Sequence, residues 1–346
     1  MRAIVMEDFG GPEVLRWTEA PDPHPGAGEV RVKVAAVEVS ATRDAGTRSG
    51  RHPFSRFVSL PHVLGGDCAG TIDAIGAGVD RALVGQRVAV SNAVPCGRCR
   101  FCVAEHDGAC ETLQLVGVHR PGSYAEHVLV PAANVRAIPD DLGLAEAAAL
   151  AADGAIAFAQ LETGDVGEGT RVLVCGAGGA LGSTLVTMAA GIGADVTALS
   201  RRAPEVLKRW GAGTVIPSDA ADLAERLLAT TEGHGYDVVV DNVAVPDLVA
   251  AYMPALGIRG RVIMSGAMGA KPIAFAPQPF YVRSQAFIGV RTEDRRTRER
   301  FWQQVDAGLR LAPDAVEVLP LADAAGAHRR TEAGDKIGHL LLDLPA

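Results

Sequence analysis

Four cysteines, Cys96, Cys99, Cys102 and Cys110, crowd into the stretch PCGRCRFCVAEHDGAC, spaced C-x2-C-x2-C-x7-C. Thiolates at that spacing on a short Gly- and Arg-punctuated loop can close a tetrahedron around one soft ion. Four sulfurs fill the preferred shell of zinc and leave no position for water or substrate, so such a site folds a loop rather than doing chemistry. An iron–sulfur cluster and disulfide pairing are the competing readings. The opening MRAIVMEDFGG lacks the basic-then-apolar shape of a secretion leader, which argues against an oxidising compartment and favours zinc. Cys68 and Cys175 lie in apolar runs and are expected to be buried thiols.

A second chemical signal is VLVCGAGGALGSTLVTMAA, a valine-rich strand followed by Gly176, Gly179 and Gly182 and then a helix. Glycines at G-x-x-G-x-x-G spacing there permit a tight turn, let the backbone approach a pyrophosphate, and let helix pack on strand. The helix N-terminus then offers its unpaired N–H groups and positive dipole end to the phosphates. Spacing of this kind alone is weak; between a strand and a helix it predicts a dinucleotide, with Gly179, Ala180 and Leu181 at the helix start. The next strand ends VTALSRRAP, with Ser200, Arg201 and Arg202 and no carboxylate to hold two ribose hydroxyls; Asp195 stands at its beginning. A hydroxyl and two guanidinium groups suit a 2′-phosphate, so NADPH is expected.

These groups need a scaffold, and 346 residues, 48% of them hydrophobic, are enough for two cores. The formal net charge of -8 and the lack of a basic run argue against a nucleic-acid partner. The longest apolar region, LAEAAALAADGAIAFAQL, is interrupted by Glu146 and Asp153, so no membrane span is expected and the protein is expected in the cytoplasm. The first part alternates as strands, notably EVRVKVAAVEV and GQRVAV, bounded by Gly and Pro. From about residue 143 strands alternate with helices: RVLVCGA, helix 180–192, DVTALS, helix 203–210, GTVI, helix 219–231, YDVVVDNV, helix 246–256, RGRVIMSG. That alternation predicts a parallel, doubly wound α/β sheet. A last helix, TRERFWQQVDAGLRL, and a strand, GHLLLDL, are expected to return to the first domain.

Taken together, FGGPEVLRWTEAPDPHPGAGEVRVKVAAVEV, the cysteine lobe, GSYAEHVLVPAANVRAIPD, the glycine turn, YDVVVDNV, GRVIMSG and GHLLLDL resemble the medium-chain dehydrogenase/reductase superfamily nearly end to end. That superfamily includes zinc alcohol dehydrogenases and quinone oxidoreductases. The resemblance implies a β-rich GroES-like catalytic domain over 1–154 and 296–346, carrying the structural zinc lobe at 95–111. It also implies a Rossmann NADP(H)-binding domain over 155–295 and an active site in the cleft between them. A homodimer or homotetramer acting on a small molecule is expected. Asn242 and Ser265, in the NVA and SGA turns, are expected near the nicotinamide.

Alcohol dehydrogenases of this superfamily carry a second, catalytic zinc held by Cys, His and Cys. Aligning on Asp44…Arg48-x-Gly50 puts Ala41 at the first Cys, whereas aligning on the strand end puts Ser40 there. In PHVLGGDCAG, Gly66 stands for the His and Asp67 for the neighbouring Glu; in ALAADGAIAF, Asp153 stands for the second Cys. Carboxylates without His or Cys suit catalytic zinc poorly, so the metal is expected to be lost. GGDCAG resembles the zinc-free quinone oxidoreductase and enoyl reductase branch, which implies NADPH-dependent reduction of an activated C=C bond. Ala45 and Gly46 occupy the place where many enoyl reductases have a Tyr acid. Asp67, Asp153, Thr42 and Ser40 are then the candidate pocket and catalytic residues, with Tyr124, His52, His62, His119 and solvent as further proton sources. The competing role for Asp67 is to orient a turn or to pair with Arg43 or Arg48. Two other functions stay open: an alcohol dehydrogenase with an unusual zinc, and a non-catalytic NADPH-binding sensor.

Overall fold

The valine alternation of Glu29–Glu38 builds the spine of the first unit. Its residues alternate between half-exposed and buried over most of the strand, then Ala36, Val37 and Glu38 are all enclosed. The computed structural model describes residues 1–268 and 271–344. Among these the chain divides into two compact units, Met1–Gly154 with Asp294–Ala346, and Ala155–Glu293.

In the first unit the Glu29–Glu38 strand pairs antiparallel with Cys68–Ile75, His127–Pro131 and His339–Asp343. The sheet order runs Val135–Ala137, Arg87–Val90, Cys68–Ile75, Glu29–Glu38, His339–Asp343, Val316–Pro320. The GHLLLDL segment therefore does return to the first unit, and its register sets Leu341 opposite Glu38. Val30, Val32, Val128, Val130, Leu340 and Leu342 meet in the core beneath. The return begins at Asp294, just before the expected 296. The Val316–Pro320 strand and the Ala324–Ala333 helix, which the periodicity did not predict, complete this unit.

The second unit is a six-stranded parallel sheet in the order Thr214–Ile216, Asp195–Leu199, Arg171–Cys175, Tyr236–Asp241, Leu256–Met264, Ala286–Gly289. This is the doubly wound order 3-2-1-4-5-6, which reverses direction between the strands Arg171–Cys175 and Tyr236–Asp241. Strands in such a sheet are covered on both faces and read as continuous apolar runs; Val172, Leu173, Val174 and Cys175 are all buried. The helix Ala180–Ile192 matches its predicted bounds, and Gly193, in the left-handed region, ends it. The sixth strand was missed because four residues carry no period. Leu144–Gly164 is long and apolar enough to cross a bilayer by length and composition, yet 56% of its most apolar window is buried in protein, as in a core helix.

Candidate active site

The cysteine lobe is folded locally. Cys99 Sγ lies 3.5 Å from Cys102 Sγ, Cys96 Sγ lies 3.9 Å from Cys102 Sγ, and all four sulfurs fall within 4.8 Å of one another. A disulfide needs about 2.05 Å, whereas thiolates about 2.3 Å from one zinc stand roughly 3.8 Å apart. The donor set therefore fits zinc. The backbone N–H of Arg98, the Thr112 side chain and the backbone N–H of Cys99 hold the Cys96 thiol down to about 6, whereas burial and the neighbouring thiols push that of Cys102 up to about 12. The lobe is fastened to the Arg295–Asp306 helix: Asp107 Oδ1 accepts from Arg295 N at 2.7 Å, and Gly108 N donates to Asp294 Oδ1 at 2.9 Å.

The glycine turn has the construction a dinucleotide needs. Gly176 sits at φ +70°, open to it without a Cβ. A Cβ at Gly182 would lie 2.2 Å from Gly176 O, so only glycine lets the helix close on the strand. The helix starts at Ala180 behind Gly179 with no side chain capping it, which leaves the N–H groups at Ala180 and Leu181 for phosphate. Ser200 Oγ accepts from Arg202 N and donates to Arg202 O, closing a turn that leaves Arg201 exposed beside it. The Asn242 amide is locked: Gln160 exchanges two hydrogen bonds with it, at 2.9 and 3.1 Å, and Ser265 N donates to its Oδ1 at 2.8 Å. Gln160 was not foreseen, since only folding brings it to Asn242.

In the first unit Ser40 and Ala41, the two candidates for the first Cys position, stand at the start of one turn. Ala41–Ala45 is a π-helical turn, in which Ala45 N reaches back five residues to Ser40 O. Ser40 caps it, accepting from Arg43 N at 3.1 Å while its own N–H donates to Asp44 Oδ2 at 2.9 Å. Thr42 is exposed.

The turn aims Arg43 inward. Its Nη1 donates to Asp67 Oδ2 at 2.7 Å and its Nε to Asp44 Oδ1 at 3.3 Å; Nη2 is buried without an acceptor among the described residues. A Cβ on Gly66 would lie 2.6 Å from Arg43 Cζ. The guanidinium thus fills the space into which the aligned His would project. Despite the opposing cost of burial, the flanking Asp44 and Asp67 raise the Arg43 pKa still higher, so its charge is permanent. Asp67 also accepts from Asn92 N at 2.9 Å and Asn92 Nδ2 at 2.7 Å. Three donors on one carboxylate are satisfied by the anion, which makes Asp67 a clamp for Arg43 and for the turn at Asn92 rather than a free acid. Arg48 pairs elsewhere, with Glu332 at 2.6 Å.

Asp153 has a different setting. It lies in a second π turn, Leu150–Gly154, whose Gly154 abuts the Phe301 ring so closely that a Cβ would stand 2.2 Å from it. Burial first, then the charge of Glu38, push its carboxyl up to about 7, with His339 and Lys336 opposing. His339 Nδ1 lies 2.9 Å from Glu38 Oε2 and 3.7 Å from Asp153 Oδ2. Glu38 and His339 carried no signal in the sequence; both read as ordinary strand residues.

The remaining candidates are held in structural roles. His52 Nδ1 accepts from Phe54 N, His62 Nε2 meets Gly117 O, and His119 Nδ1 accepts from Leu115 N. Tyr124 is fully buried with its hydroxyl 3.1 Å from His328 Nε2 and 3.5 Å from Asp44. Burial pulls His328 down to about 4, leaving it a neutral partner for Arg48 Nη1 at 3.2 Å.

Comparison with known proteins agrees with this architecture. Residues 26–140 match the alcohol dehydrogenase GroES-like domain and residues 180–307 the zinc-binding dehydrogenase domain. The starvation-sensing protein RspB of Escherichia coli is 31% identical over 84% of this chain and 81% of its own length. The chain belongs to the medium-chain dehydrogenase/reductase superfamily. A crystal structure of an NAD-dependent alcohol dehydrogenase superimposes with a TM-score of 0.92 at 31% identity, covering 100% of both chains. A mycobacterial structure complexed with NADPH does so with a TM-score of 0.80 at 28% identity, covering 99% of this chain and 100% of that one. Membership makes this chain an oxidoreductase in kind; substrate and nucleotide depend on its own residues.

Proposed function

We propose that this protein is an NADPH-dependent reductase of C=C bonds conjugated to a carbonyl, working without a catalytic zinc. The observation that carries the reading is Arg43. A permanent cation, clamped by Asp44 and Asp67 against Gly66, stands where the resemblance would put a metal ligand. The guanidinium fills the space that a His ligand there would need, whereas an enolate oxygen, its charge spread by conjugation, can be held by protein hydrogen bonds alone. Simple ketone reduction asks more, since the alkoxide has no conjugation to spread its charge and metal enzymes stabilise it by several kcal/mol.

NADPH, when bound, supplies a hydride. The Gly176–Gly182 turn would hold its pyrophosphate, Asn242 fixed by Gln160 and Ser265 would orient its ring end, and Ser200, Arg201 and Arg202 would take the 2′-phosphate. Asp153 would give the proton. Arg201→Ala should weaken NADPH by roughly 1.5–3 kcal/mol and leave NADH nearly unchanged. Equal titration of both nucleotides by the unmodified protein would remove the NADPH assignment.

The deciding experiment supplies NADPH and a panel of enones, quinones and aldehydes, with product analysis and metal content in parallel. The reading expects a saturated ketone from an enone and about one zinc per chain, on the four cysteines. An allylic alcohol from the enone would mean carbonyl reduction and sink the reading. Nucleotide binding with no turnover across the panel would favour a sensor.

A further inference from the structure

Glu38, Asp153 and His339 come from three separate elements of the first unit: the end of the Glu29–Glu38 strand, the Leu150–Gly154 π turn, and the first residue of the His339–Asp343 strand. Antiparallel pairing of the two strands seats the imidazole against Glu38. Of the three side chains, His339 is 0%, Glu38 2% and Asp153 19% exposed, so solvent reaches the cluster through Asp153. Glu38 spends only Oε2 on the imidazole; Oε1 is buried with no hydrogen-bond partner among the described residues. The charged and titratable groups facing Asp153 are Glu38, His339, Lys336 from the loop before the last strand, and Asp67, itself neutralised by Arg43.

We propose that Glu38 and His339 are positioning residues for proton delivery: the imidazolium, clamped by Glu38, sets how firmly Asp153 holds the proton that it gives to the substrate. The inference rests on the reading of Asp153 as proton donor and deepens it. The underused negative charge of Glu38 and the burial of the site make Asp153 retain its proton. The imidazolium opposes both, so that Asp153 can release it. Burial alone would neutralise His339, but the charge and hydrogen bond of Glu38, joined by Asp153 once it has lost its proton, outweigh it and raise its pKa. In the reaction the β-carbon would take a hydride from NADPH and the α-carbon the proton of Asp153, so that the π bond is replaced by two C–H bonds and a C–C single bond remains. Asp153 is left as a carboxylate opposite the imidazolium and is reprotonated by water through its exposed face.

The same three side chains offer ligand atoms within 4.8 Å of one another, close enough to grip a cation. The hydrogen-bonded reading is favoured because the 2.9 Å contact already satisfies Nδ1 and Glu38 Oε2, and because Lys336 adds positive charge against His339.

The test uses the protein alone. Difference infrared spectroscopy across pH should show a protonated carboxyl band that disappears near pH 7, at the value to which Asp153 is pushed, and that is missing in Asp153→Asn. His339→Gln removes the opposing cation and should move that midpoint upward by roughly one pH unit or more. His339→Lys, which keeps a cation, should hold it near or below the original value. Imidazole nitrogen NMR of the unmodified protein, which needs no variant to fold, should find His339 doubly protonated at pH 6. An unmoved midpoint in His339→Gln, a neutral His339 at pH 6, or a second divalent ion per chain that Glu38→Gln releases would each overturn the proposal. Failure of enone turnover would strike the proposed activity and leave these readings intact. Where turnover is found, the alkaline fall in rate should follow the infrared midpoint in each variant.

Discussion

Asp67 and Asp153 are both candidate acids in the sequence, Asp67 with a competing role as a turn anchor or partner of Arg43 or Arg48, and the regions around them differ in kind. Asp67 ends a glycine turn and is met by three donors, two from Asn92 and one from Arg43. Asp153 sits in a π turn beside another carboxylate, and burial lifts it to about 7. The same side chain is thus tied by three donors in one place and, in the other, held in a setting that raises its pKa. The difference teaches that neighbours, rather than residue type, assign the role.

The largest effect should come from Asp153→Asn. Enone turnover should fall about 10²–10⁴-fold, the usual contribution of a positioned acid, while NADPH affinity in a fluorescence titration stays the same. Asp67→Asn should reduce turnover less and reduce stability more. If Asp67→Asn abolishes turnover in a normally stable protein, the two roles have been exchanged.

The second contrast is in stability. Asp67→Asn leaves Arg43 charged and enclosed with its closest partner gone, so urea unfolding should show a loss of about 3–5 kcal/mol. Replacing the whole group, as in Arg43→Met with Asp44→Asn and Asp67→Leu, should recover much of it, because no uncompensated charge is left behind. An undiminished single variant would mean that Asn92 alone holds the turn.

A smaller and slower effect should appear with pH. Asp153 in the folded protein holds its proton up to about 7, against 3.8 for the free side chain. The folded state therefore binds that proton more tightly than the unfolded chain. This contribution to stability is complete below about pH 4 and is lost as pH rises through about 7. Unfolding midpoints measured across that window should decline, and the decline should flatten in Asp153→Asn. A slope identical in both proteins would assign it to other groups.

The regions also differ in how far they could be read before folding. Cys96, Cys99, Cys102 and Cys110 lie so close in the chain that spacing alone confines their sulfurs, and the glycine turn is likewise a matter of adjacent residues. Arg43 was legible only as one of two partners for Asp67. Glu38 and His339 were invisible, because a strand residue shows its chemistry only when the opposite strand is known.

By itself, then, the sequence determined what short-range geometry can enforce: the zinc lobe, the phosphate-binding turn, the alternation of strands and helices, and the lack of the usual ligands for a second zinc. Folding decided which charge meets which. Residues 38, 153 and 339 become neighbours through the strand pairing that sets Leu341 opposite Glu38 and through a π turn seated on Phe301. The physical reason is range: turn and ligand spacing act over a few residues of backbone. The acidity of Asp153 depends on burial and on charges that only the packed sheet brings within a few ångströms.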